Sequence, residues 1–251
     1  RGRAACARHE VDERTRAFAA HGLGLMAHAT SRVAVKQRAF AALRPIVDDA
    51  RETSSNLKVA AIHAISLLHL DGAVPDEAAL QAQALECLEG YYLRDLGVSE
   101  QLMQSHCATA IAKLIGRDHA QAARYRELFA KELRRGISAK RTSADFARSC
   151  VLALGRLCRP VHDAKDPDAS YSRLLLDLFR DHQDQQTRNF AILALGQIGG
   201  TWNRQALLDG FGKARKALEK PWFALALGVY AFADRESRRL AGDEGAEPAA
   251  D

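Results

Sequence analysis

The chain has 251 residues, 47% of them hydrophobic, which is enough to bury a sizeable core and excludes a mostly disordered polymer. It holds 47 alanines and 31 leucines against only 6% aromatics, a helix-forming composition that excludes an all-β fold. The net charge of +5, from 36 basic and 31 acidic residues, is modest for a dedicated polyanion binder, and no apolar run reaches the ~18 residues that read as a membrane span.

In chain order, apolar residues recur with a helical period in paired stretches. Helices are predicted near 12–27, 31–50, 54–70, 75–94 and 99–116. The pattern continues near 118–135, 142–158, 168–182, 184–199, 203–216 and 219–234. Asp12, Ser54, Ser99, Thr142 or Ser143, and Asp184 stand where an N-cap oxygen would accept the first free backbone N–H groups. Pro75 and Pro221 suit first-turn positions, where the missing N–H costs nothing. Pro45 falls inside its helix and is expected to bend it. Residues 159–168, with Pro160 and Pro167, form the longest internal loop, and Trp202 after Gly199-Gly200 is expected on the surface. The tail 241–251 lacks apolar periodicity, is acidic and is expected to be disordered.

Alternate helices share a pattern. Thr187-Arg188-Asn189-Phe190-Ala191-Ile192-Leu193-Ala194-Leu195-Gly196 echoes Thr15-Arg16-Ala17-Phe18-Ala19-Ala20, which runs on to Gly24. An Asp precedes each Arg by four positions, at Asp184 and Asp12. Aligned on a small residue, the six segments give an anchor column of Gly24, Ser66, Ala112, Gly155, Gly196 and Gly228, with successive spacings of 42, 46, 43, 41 and 32. A small anchor implies close approach of neighbouring helices. In the fifth segment the core positions are Phe190, Ala191, Ala194, Leu195 and Ile198, one face of a 3.6-residue helix.

These periods and the A-x-x-A-L-G-x-I/L pattern resemble HEAT repeats, and most closely the bacterial HEAT-like repeats grouped with the bilin lyases. The resemblance covers roughly residues 8–235. It implies an all-α, right-handed α-solenoid of about six helical hairpins. Residues 1–240 would form one array, with repeats near 1–28, 29–70, 71–116, 117–158, 159–200 and 201–235. The first repeat lacks a complete leading helix, and the chain starts at Arg1, so it reads as a fragment of a longer array. No bilin-lyase motif is present, and the residue set of the HEAT-like DNA glycosylases has no counterpart here.

Charge is banded. Residues 1–60 carry 11 basic and 6 acidic groups, 61–130 carry 5 and 9, 131–220 carry 17 and 10, and 221–251 carry 3 and 6. Within 131–159, Lys131, Arg134, Arg135, Lys140, Arg141, Arg148, Arg156 and Arg159 face two acids only. Such a ridge suits an acidic protein or nucleic-acid phosphates, unless it is simply a solvated face. A second basic column comprises Arg16, Lys58, Arg188 and Lys220. In HEAT arrays an Asp and a basic residue at these places form a ladder between repeats, and a partner on the concave face is the alternative use.

Catalytic signatures are missing: there is no Walker loop, no H-E-x-x-H and no G-x-S-x-G. The lone His9-Glu10 dipeptide does not make a di-iron site. His21 and His63 share one column in adjacent repeats, spaced for packing or for a shared metal. Cys6, Cys87, Cys107, Cys150 and Cys158 show no ligand spacing and read as free thiols, which favours a reducing, cytoplasmic compartment. The sequence therefore reads as a non-catalytic scaffold without a cofactor. A protein partner would be held by Arg134, Arg135, Lys140, Arg141 and Arg148 and by the column Arg16, Lys58 and Arg188. A nucleic-acid-binding array using the same ridge remains the alternative.

Overall fold

The computed structural model describes residues 11–49, 54–139, 143–215 and 218–240. Among them lie eleven helices and no strand: α1 Glu13–His28, α2 Val33–Asp48, α3 Ser55–Ser66, α4 Pro75–Tyr92, α5 Val98–Ile115, α6 Ala122–Ala139, α7 Ala144–Leu157, α8 Ala169–Asp181, α9 Gln185–Ile198, α10 Thr201–Lys213 and α11 Lys220–Leu240. Each helix expected from the sequence is present. The tail 241–251, Cys6, His9, Glu10, Lys140, Arg141 and Thr142 lie outside the described residues.

Local chemistry sets the helix starts. Asp12, Ser54 and Asp184 each accept the backbone N–H three residues on, from Thr15, Leu57 and Thr187. Ser143 accepts from Asp145 N–H at the start of α7. The expectation for Ser99 is corrected, because α5 begins earlier, at Val98, with Gly97 at its cap. Pro75 opens α4 as expected. α2 continues through Pro45 but ends three residues later at Asp48.

Packing runs in a regular order. The odd-numbered helices α1, α3, α5, α7, α9 and α11 each touch the next odd helix, and each even helix packs on the odd helix that follows it. The order is consistent with a helical repeat. One hydrophobic cluster threads all of these layers, from Ala20 on α1 to Ala226 on α11.

Small anchors permit this spacing. A Cβ placed on Gly24 would lie 2.6 Å from Ala64 Cα, and one on Gly155 would lie 2.9 Å from Ala194 Cα. A Cβ on Gly196 would meet the backbone of Ala226, whose carbonyl carbon is 3.1 Å away. In each case the opposing Ala sits two residues before the next anchor, so one contact recurs along the stack.

The connection 159–168 is pinned rather than loose. Val161 N–H donates to Gly199 O (3.2 Å) and Trp202 N–H donates to Val161 O (3.1 Å). Gly200 adopts φ +88°, and a side chain there would collide with Val161. Trp202 is consequently half-buried against the core, which corrects its expected surface position. Buried Asp168 accepts from Arg159 N–H at 2.7 Å and pairs with Arg126 at 3.2 Å, tying the loop to α6.

Candidate interaction site

The basic segment is sorted by its neighbours. Arg148 on α7 is bound through Nη2 and Nε to Asp184 at 2.8 and 3.0 Å, and reaches Asp145 at 3.2 Å. Arg188 on α9 donates to Phe179 O at 2.8 Å and pairs with Glu219 at 3.3 Å. Lys58 on α3 is only 2% exposed, 3.7 Å from Glu100 and over the Tyr91 ring. All three thus link one odd helix to acids at the start of the next. Arg16 is half-buried on α1. A partner approaching from solvent reaches little of Lys58, and it meets Arg148 and Arg188 already engaged.

The Arg148–Asp184 link is the shortest of these ion pairs and has two direct contacts. Hydrogen bonds from Arg148, then from Thr187, hold the Asp184 carboxyl far below the usual carboxylate range against the opposing effect of burial. Asp184 thus caps α9 and ties it to α7 with one side chain.

The remaining described ridge residues project outward. Arg134 is exposed and pairs with Glu127 at 2.9 Å. Arg135 and Lys131, one turn apart on α6, are exposed at the rim of a cleft of about 760 Å³. The cleft lies between the α4–α5 turn and α6–α7, with Leu93, Leu96, Leu128 and Phe146 supplying apolar wall and Asp95 and Glu132 supplying acids. The sequence reading marked Arg135 but not its apolar neighbours. Leu93 and Leu96 sit in a turn some 40 residues upstream, and no periodic signal connects them to α6.

A second, smaller concavity of about 430 Å³ lies on α1 and α3, lined by Arg14, Phe18, His21, Asn56, Val59 and His63 among others. His21 and His63 are thus neighbours, as their shared column suggested. The closer partner of His63 is His106 on α5: Nε2 of one lies 3.2 Å from Nδ1 of the other, with the rings edge to face. The sequence reading missed His106. Its signal was the i−3 position before Thr109, the residue that continues the His21–His63 column. Burial, then the charges of His106, Lys113 and His21, lower the His63 pKa to about 4, and burial lowers that of His106. Both are therefore neutral at pH 7. Among the described residues no group of three His, Cys, Asp or Glu could hold a metal ion.

Cys87, Cys107, Cys150 and Cys158 are buried free thiols, and burial raises the pKa of each, to about 12 at Cys87 and Cys150. Such thiols stay protonated and act as small hydrophobes. No helix among the described residues is long and apolar enough to cross a membrane. No family model, curated protein or solved structure matches the chain.

Proposed function

We propose that this protein is a non-catalytic interaction scaffold, a right-handed α-solenoid of about six HEAT-like hairpins that holds a protein partner at the α6 cleft. One observation carries the reading. Lys131 and Arg135 stand exposed, without an acid paired to either among the described residues, beside an apolar cleft wall. Arg148, Arg188 and Lys58 are instead consumed by contacts between helices. Cations beside Leu93, Leu96 and Phe146 suit a peptide that brings an apolar anchor and carboxylates, since affinity comes from a few desolvated anchors. Asp95 and Glu132 in the same wall disfavour a bare phosphate backbone.

The test is affinity capture on the intact chain, with and without nuclease, beside a Lys131→Glu/Arg135→Glu variant and an Arg180→Glu control. Arg180 is exposed on α8 and does not line the cleft. A protein retained through nuclease, lost with the cleft variant and kept by the control supports the reading. Recovery of nucleic acid, with protein vanishing on nuclease treatment, replaces it with the phosphate-track alternative.

A further inference from the structure

Two imidazoles meet where α3 and α5 pack. His63 lies in the last turn of α3 and His106 lies inside α5, and the two helices are in contact. Nε2 of His63 stands 3.2 Å from Nδ1 of His106, with ring centroids 5.0 Å apart and the planes at 70°. The two residues are 43 positions apart in the chain, so helix packing sets this separation.

The separation has a chemical meaning. Two nitrogens each 2.0–2.1 Å from one tetrahedral ion stand about 3.3–3.4 Å apart. Adjacent nitrogens at the same bond length in a square-planar arrangement stand about 2.8–3.0 Å apart. The observed 3.2 Å falls between the two, so no helix has to move for both nitrogens to reach one ion. As a hydrogen-bonded pair, one ring donates its N–H to the other. Coordination moves that hydrogen to the far nitrogen of the same ring, so both rings stay neutral and no net proton is released.

The surroundings suit an open site. Both rings are half-buried, and His63 borders the concavity of about 430 Å³ on α1 and α3, which gives an ion a path from solvent. Both rings are neutral at pH 7, the form in which imidazole is a ligand. Among the described residues no third His, Cys, Asp or Glu completes a set, so the other positions fall to water or to a group brought from outside. Of the charged groups that reach the pair, Asp145 on α7 favours a cation and Lys113 on α5 opposes one. Imidazole ligands suit zinc, nickel and copper, whereas magnesium and calcium take oxygen.

We propose that His63 and His106 form a two-imidazole site for a divalent late transition-metal ion that bridges α3 and α5. The ion links two layers of the helix stack and keeps positions open for an outside ligand. The site shares no residue with the α6 cleft, so it stands or falls separately from that reading.

The test is equilibrium dialysis of the full chain against nickel(II) at neutral pH, with magnesium as the oxygen-preferring comparison. The wild type is expected to retain one nickel ion per chain and no magnesium. His63→Gln and His106→Gln each keep a hydrogen-bonding side chain and are expected to lose about tenfold or more in nickel affinity, at least what removing a supporting group of a metal ligand costs. His28→Gln, which breaks the exposed His28–His69 ring pair, is expected to bind as the wild type does. Circular dichroism checks each fold. The wild-type melting temperature is expected to rise by about 2–4 °C at a nickel concentration about five times the dissociation constant. Electron paramagnetic resonance of the copper(II)-loaded wild type needs no variant and is expected to show two nitrogen ligands. A wild type that retains no nickel overturns the proposal. So does binding that survives both Gln variants, binding lost in His28→Gln, or a copper spectrum without coordinated nitrogen.

Discussion

Two glycines on one helix allow a stringent check of the packing. Gly22 and Gly24 both lie inside α1. A methyl on Gly22 meets nothing within 4 Å, so Gly22→Ala should gain the intrinsic helix preference of Ala, about 1 kcal/mol. A methyl on Gly24 lies 2.6 Å from Ala64 Cα, 2.8 Å from its Cβ and 2.9 Å from its carbonyl oxygen. Ordinary carbon contacts are about 3.5–4.0 Å, so α1 and α3 must separate by about 1 Å. Overpacking of this kind costs about 1–3 kcal/mol, which exceeds the propensity gain. Both variants gain the same helix preference, so they should differ by the overpacking cost, about 1–3 kcal/mol, Gly22→Ala the more stable. Urea unfolding followed by circular dichroism reads the difference. Because a terminal helix of a repeat stack can fray on its own, Gly196→Ala, which meets Ala226 backbone, provides the same comparison inside the stack. If Gly24→Ala and Gly196→Ala are as stable as Gly22→Ala, the close-approach argument is wrong.

Other predictions follow from buried charge and from pH. Lys36 and Glu77 form an ion pair at 2.8 Å with side chains only 4% and 8% exposed, and Lys36 also donates to His69 O. Lys36→Met should destabilise by about 3–5 kcal/mol by stranding the carboxylate, and Glu77→Leu added to it should restore much of that loss in thermal melts. His63 and His106 have folded pKa values below their unfolded value of 6.5, so the unfolded chain binds more protons as pH falls from 6.5 towards 4. Stability is full above that window and is lost within it. His63→Gln should flatten the slope of a pH-resolved melt there, and an unchanged slope would remove His63 as its source. Arg148→Ala should cost about 1–3 kcal/mol by releasing Asp184, while Arg135→Ala should leave the melt within about 0.5 kcal/mol of wild type.

Much of the architecture was legible because each helix carries its own signals. Asp12, Ser54 and Asp184 cap helices that start at the next residue, a relation contained within four residues of chain. The glycine anchors were readable because close approach, seen at Gly24, Gly155 and Gly196, demands a small residue. Ser99 misled because a cap is also a matter of backbone geometry, and Gly97 supplies that two residues earlier without a side-chain oxygen. What was not legible depends on partners that only the packing brings together. His106 meets His63 across 43 residues, and Val161 folds over Gly200 across 39, burying part of Trp202. The candidate cleft follows the same logic. Its cations lie in a visible charge run, but Leu93 and Leu96 of its apolar wall come from a turn with no pattern of its own. The charge run also overstated the free basic surface, since Arg148 belongs to the bond between α7 and α9.

Amide hydrogen exchange on the chain with its captured protein partner tests the interaction reading most directly. The account predicts new protection concentrated in the α4–α5 turn around Leu93–Leu96, in α6 around Leu128–Arg135 and at the start of α7 around Phe146, the segments that line the cleft. Protection confined to other helices, with these three segments exchanging as in the free chain, would contradict it.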